Sequence, residues 1–229
     1  MIIFDPVRHQ YKNQFTGEEY ISATTLLGKY KKPFDSATAA ERVAKREGKT
    51  VEQVLGEWKK LNTDSQIYGT QIHKAIEDFN NTGVLPDEHT DIVQSYIELG
   101  IINRDKDELL NEQRLWLHQC KIAGTADIIR HEERGGFSVF DIKTNKKFNY
   151  FSAYNEQMLY PLNHLSVCEY STYSLQLSLY AYMYQTLTGR RLNQLGVLYY
   201  DRELKKFKYI PAIYMKTDVV AMLEHYAKG

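Results

Sequence analysis

Apolar positions along this 229-residue chain recur at two spacings, and the switches between them mark out its elements. Residues 2–22 alternate in short runs: Ile2-Ile-Phe4, His9-Gln-Tyr11 and Glu19-Tyr-Ile-Ser22. Asp5-Pro6 and Thr16-Gly17 break them, which predicts a hairpin. Ser22 or Thr24 offers a cap for a short helix through Leu26 and Leu27 that stops before Lys32-Pro33. The cluster Lys29, Lys31 and Lys32 reads as a solvated turn. Helical spacing then takes over. Asp35 or Ser36 caps a helix over 37–47 that Gly48 closes, and Thr50 caps another through Trp58 and Leu61. Asn62 or Asp64 opens a further helix from Gln66 to about Asn80, closed by Asn81-Thr-Gly83. A helix over 90–103 follows, with Val93, Tyr96, Ile97 and Ile101 inward.

Alternation returns over 109–118, 121–130 and 137–144, predicting three strands. The polar, glycine-ended run His131-Glu-Glu-Arg-Gly-Gly136 turns the second into the third, centred on Arg134. Residues 145–170 keep neither spacing and carry Tyr150, Tyr154, Tyr160 and His164. A segment of that length without regular structure is usually functional. Ser171 or Thr172 caps a helix to Thr188 that Gly189 closes, with Gln176 and Tyr180 one turn apart. Strands over 194–200 and 206–212 flank a turn at Asp201-Arg202-Glu203, and Thr217 caps a last helix to Ala227. The order predicts an α/β (α+β) fold, a central mixed β-sheet flanked by helices. Residues 1–229 form one domain in this reading, with a hairpin and helical extension over 1–62 and a core over 63–229.

The chemistry concentrates at the middle strands. Asp141 and Lys143 are two apart, so both side chains leave one face of a strand while Ile142 points to the other. A hairpin symmetric about Arg134 sets Asp127 directly opposite Asp141, with β-carbons about 4.5–5.5 Å apart. Like charges so placed destabilise a bare hairpin, and a hard divalent cation between them removes the conflict. Asp-x-Lys alone marks a surface strand with incidental charges far more often than a site; its partner Asp127 is what changes the picture. On the helix after Gln66, Gly69, His73 and Glu77 stack one turn apart. Glycine there costs roughly 1 kcal/mol against alanine, which suits a place where something approaches the backbone closely.

Composition narrows the setting. Lys plus Arg and Asp plus Glu both number 29, so a polyanion partner would need a local basic patch. Cys120 and Cys168 are too few for a disulfide framework, a four-cysteine zinc site or a thiolate-held iron–sulfur cluster, and suit a reducing, cytoplasmic compartment. No apolar run approaches the roughly 18 residues of a membrane span, and the first residues lack signal character. Tyrosine is frequent at 18 residues, which suits base stacking or an aromatic core equally.

Taken in order, Gly69-x-x-x-His73, Glu112, Gly124-x-x-Asp127, Asp141-Ile142-Lys143 and Gln176-x-x-x-Tyr180 resemble the motifs of the PD-(D/E)XK nuclease superfamily, in its RecB-type exonuclease branch. The likeness spans residues 65–185. Tyr20-Ile-Ser-Ala-Thr-Thr-Leu-Leu27 and Met158-Leu-Tyr-Pro-Leu-Asn-His164 extend it loosely toward phage-encoded members. The resemblance implies a restriction-endonuclease-like core and Mg²⁺ or Mn²⁺ held by His73, Asp127, Asp141 and the Ile142 backbone carbonyl. It implies that Lys143 positions water or stabilises phosphate charge, with Glu112 supporting a second metal or Lys143. Gln176, Tyr180 and Gly69 would brace the site or touch the strand. Ala126 stands where the superfamily's name has proline. The implied partner is DNA, single-stranded or with free ends, in the bacterial host cytoplasm, with a recombination or single-strand-binding protein as a further partner. The activity implied is that of an exonuclease in phage or bacterial recombination or replication. A structure-specific or restriction-like endonuclease, or a non-catalytic end-binding protein, are the alternatives.

Overall fold

A computed structural model describes residues 2–5, 8, 10–132 and 135–228; Pro6, His9 and the hairpin centre Arg134 lie outside them. Among the described residues eight strands form one mixed sheet and six helices flank it, the architecture expected from the sequence. In chain order these are β1 (Ile2–Asp5), β2 (Gln10–Asn13), β3 (Glu19–Ser22), α1 (Ala23–Gly28), α2 (Ser36–Glu47), α3 (Val51–Thr82) and α4 (Thr90–Glu98). Then come β4 (Glu108–Leu117), β5 (Ile122–His131), β6 (Phe137–Lys143), α5 (Glu169–Thr188), β7 (Leu192–Asp201), β8 (Lys206–Pro211) and α6 (Lys216–Lys228). The strands run β1-β2-β3-β5-β6-β7-β8, with β4 on the other edge of β5. Among the described residues no helix is long and apolar enough to cross a membrane.

The local chemistry of the termini sets most boundaries. Ser22 caps α1, accepting a hydrogen bond from the Thr25 backbone N–H, and Asp35 caps α2 in the same way through Thr38. Thr50 and Gln53 form a reciprocal capping box at the start of α3. Three expectations need correction. Asn62 and Asp64 do not start a new helix: α3 runs unbroken for 32 residues, because neither side chain caps where the backbone bonds continue. The helix expected to 103 ends at Glu98, where Gly100 takes φ 67° and turns the chain. The helix expected to be capped by Ser171 or Thr172 already starts at Glu169, with Cys168 at the N-cap position making no capping side-chain hydrogen bond.

Two apolar layers sandwich the sheet. On one face Leu175, Leu179 and Met183 of α5 pack with Val219 and Met222 of α6 onto Ile129, Phe137 and Val139. On the other, Ile72 and Ile76 of α3 and Val93 and Tyr96 of α4 cover Ile128, Phe140, Ile142 and Leu198. Burying a Phe or Ile side chain this fully contributes about 1.5–3 kcal/mol each. The N-terminal hairpin is part of the sheet, since β3 pairs in parallel with β5 through Ile21–Ile122 and Ser22–Ala123. The first half of α3 leaves the sheet and packs on α2 through Ala40, Ala44 and Val54.

Candidate active site

The expected register is present. Ile128 pairs with Phe140, Ile129 with Val139, Arg130 with Ser138 and His131 with Phe137. Continuing it by one step brings Asp127 opposite Asp141, and there the backbone ladder stops. Beyond that point β6 stays bound to β7, through Asp141–Val197, Ile142–Leu198 and Lys143–Tyr199, while β5 leaves it. One bond crosses the fork: the Ile142 backbone N–H donates to Asp127 Oδ2 at 2.6 Å. A side-chain oxygen thus takes the donor that a strand carbonyl would have taken.

The other edge of β5 is interrupted at the same level. Asn111–Ile128 and Gln113–Ala126 are paired, but Glu112 between them is not. Glu112 has φ 48°, the left-handed region that a non-glycine residue enters at a cost of order 1–3 kcal/mol. Its register position is opposite Asp127. Glu112, Asp127 and Asp141 therefore lie in one row across three strands, each at a break in the hydrogen-bond ladder.

Helix α3 delivers the fourth group. His73 follows the buried Ile72, and its Nδ1 lies 3.5 Å from Asp127 Oδ2. Ligand-capable atoms of His73, Glu112 and Asp127 all fall within 4.8 Å of one another, an arrangement able to hold a metal ion. Asp141 stands apart from that trio, with its buried carboxylate turned to the Lys143 ammonium. Gly69, one turn before His73, lets the helix come close to the end of β6: a Cβ there would lie 3.3 Å from Thr144 Oγ1.

The electrostatics follow from this crowding. Burial pulls the His73 imidazole down, yet the Asp127 carboxylate more than offsets it and lifts the group to about 9. Burial and the Asp127 charge push the Glu112 carboxyl up to about 7. Burial raises Asp141 to about 6, against the pull of Lys143. Asp127 goes the other way: burial opposes its ionisation, but His73, Lys143 and the Ile142 N–H hold it below the usual carboxylate range. Lys143 keeps its proton above the ordinary lysine range, because Asp141 and Asp127 outweigh its burial. One ionised aspartate thus sits among acids that burial disfavours as anions, a donor set in want of positive charge.

The α5 side closes the site. Gln176 and Tyr180 are buried, and Gln176 Nε2 donates to the Tyr180 hydroxyl at 3.1 Å. The Tyr180 ring lies so close to Gly124 that a Cβ there would come within 2.6 Å of it, so this glycine is required by packing. Three contributors carried no sequence signal. The Tyr173 ring lies beneath the Lys143 ammonium, 4.8 Å from ring centre to nitrogen. Tyr11 of β2 hydrogen-bonds Thr125 at 3.0 Å, bringing the N-terminal hairpin to the site. Arg202, in the turn after β7, donates from Nε to the Thr144 carbonyl at 2.6 Å. Only their strand, helix or turn positions, far apart in the chain, were visible beforehand.

In the 144–168 segment, Phe151 and Tyr154 are more than four-fifths exposed, whereas Tyr150 packs against Phe148 and Tyr170. A cleft bounded by Phe151, Tyr154 and Lys31 reaches Tyr173, and so adjoins the Lys143 side of the site.

No family model and no curated protein matches the chain. Among solved structures it is similar to SSO0001, at 15% identity over 91% of this chain and 75% of that one, with a TM-score of 0.40. It is also similar to a Eubacterium rectale protein provisionally named an exonuclease, at 11% identity over 90% of this chain and 77% of that one, with a TM-score of 0.41. Likenesses this distant carry no argument about function, which rests on the geometry of the site itself.

Proposed function

We propose that this chain is a divalent-metal-dependent deoxyribonuclease of the PD-(D/E)XK kind. In this reading residues 63–229 form the nuclease core and 1–62 extend it. The observation that supports it is the meeting of His73, Glu112 and Asp127 within 4.8 Å, beside the buried Asp141–Lys143 pair, at a fork between strands. Two carboxylates and an imidazole suit Mn²⁺ or Mg²⁺, with Asp141 and the Ile142 carbonyl as further donors. The raised Glu112 and His73 groups are the expected condition of ligands whose protons a cation replaces. Such an ion, when bound, makes water nucleophilic near neutral pH and relieves charge on the phosphate.

The chain's own residues do the rest. Lys143 holds its proton firmly, so it serves as a fixed positive charge and hydrogen-bond donor toward phosphate oxygens, and not as a base. Asp141 and the Tyr173 ring hold that ammonium in place. Gln176 and Tyr180 fix the Gly124 stretch of β5, and with it Asp127. A preference for strand ends, and a bacterial or phage setting in recombination or replication, rest on the family resemblance.

Digestion of end-labelled linear DNA and of closed circles, with Mg²⁺, Mn²⁺ or chelator, tests the reading. Linear strands should be degraded from their ends only when metal is present. Rapid nicking of circles would replace the exonuclease by an endonuclease, and no cleavage under any condition would remove the nuclease.

A further inference from the structure

Beside Lys143 lies a pocket of about 210 Å³ between α3, the end of β6 and the turn after β7, bordered on the metal side by His73. Ser65 and Gln66 line it from α3, Thr144 and Asn145 from the β6 end, and Lys143 and Arg202 from either side. No carboxylate is among its lining residues. Hydroxyls, amides and two cations make a surface suited to an anion.

Arg202 is the informative member. Its Nε–H is spent on the Thr144 carbonyl, and its guanidinium plane lies over the Tyr68 ring at 4.2 Å. These two contacts fix the side chain in the wall of the pocket. One terminal nitrogen, Nη2, is shut off from solvent and has no acceptor among the described residues. Buried polar groups are nearly always bonded, and a cationic donor left bare is costlier than a neutral one. An oxyanion in the pocket is the natural partner for a guanidinium held in place at its wall.

We propose that this pocket seats a backbone phosphate of the DNA strand, next to the phosphate that Lys143 faces, and that Arg202 is the residue gripping it. The identity of the anion rests on the nuclease reading; the existence of an anion seat does not. Arg202 holds the strand at a second point, so the bond to be cut is set against Lys143 and the carboxylates by two phosphates in place of one.

The test uses single-stranded oligonucleotides, each carrying one uncharged methylphosphonate linkage at a different position. Binding is measured in chelator by fluorescence anisotropy, and cleavage separately with Mg²⁺ or Mn²⁺. For the native protein one linkage position should weaken binding tenfold or more. In Arg202→Ala that same position should matter less than twofold, while penalties at other positions persist. Arg202→Lys, which keeps the charge and a stem over Tyr68, should fall between them and serves if the alanine variant is poorly folded. A native profile with no sensitive position, or a variant profile identical to the native one, overturns the proposal. Binding needs no turnover: an Arg202-dependent profile without cleavage would retain the phosphate seat and discard the nuclease, and the reverse result would do the opposite.

Discussion

Strand β6 has two halves built from the same backbone and put to opposite uses. From Phe137 to Phe140 it is zipped to β5, buried on both faces, and apolar apart from Ser138. From Asp141 to Lys143 it is held by β7 alone, while β5 turns aside and leaves a space that side chains fill. The zipped half fixes where the fork opens. The open half could not close without pressing two carboxylates together. The strands part where charge would have to be buried, and His73, Lys143 and the Ile142 N–H gather where they part. Stability is concentrated in one half, and the proposed chemistry in the other.

That division can be broken by experiment. Lys143→Ala or Asp141→Ala, in the open half, should lower cleavage of end-labelled linear DNA by about 10³-fold. Far-ultraviolet circular dichroism should stay near native, and undiminished cleavage would defeat the assignment. Phe140→Ala, in the zipped half, should cost about 4 kcal/mol in urea unfolding, from lost burial and the cavity left behind. The fraction still folded should cleave DNA within severalfold of native; if activity fell much further than stability, the halves would not be separable.

His73→Ala should weaken Mn²⁺ binding in calorimetry by roughly 10–100-fold, the range seen for disturbed metal-site partners. DNA affinity in chelator should move far less, and an equal loss of both would point to a structural role for the imidazole. The smallest effect expected is on pH. Asp141, Glu112 and His73 all titrate higher in the folded protein, at about 6, 7 and 9, than unfolded. The native state therefore binds more protons across that range, and metal-free stability should decline as pH rises from about 4 toward 9. The His73 contribution is complete below its unfolded value near 6.5 and is lost as pH rises through about 9. Asp127, lowered in the fold, opposes the trend only below pH 4 or so. Urea midpoints in chelator at pH 5, 7 and 9 would check the slope, and a midpoint rising with pH would contradict it.

Much of this was legible in the chain. The β5–β6 register could be read by taking the glycine-ended turn as symmetric about its centre, which sets Ile128 against Phe140. Caps at Ser22, Asp35 and Thr50 were legible because each is a local event between a side chain and a backbone N–H two or three residues on. What was hidden depended on distant partners. Nothing near Glu112 in sequence announces its left-handed backbone, which coincides with its place opposite Asp127. Tyr173 reaches Lys143 from α5 and Arg202 reaches Thr144 from the turn after β7, and neither carries a local motif. The parallel join of β3 to β5 likewise links residues about a hundred positions apart.

The unbroken course of α3 has a mechanical meaning. At 1.5 Å per residue its 32 residues form a rod of about 48 Å, with the α2 contact toward one end and the imidazole in the second half. A rod lacking a joint transmits tilt. The arm packed on α2 near Trp58 and the turn carrying His73 thus share one unbroken backbone ladder, which a kink at position 62 would divide.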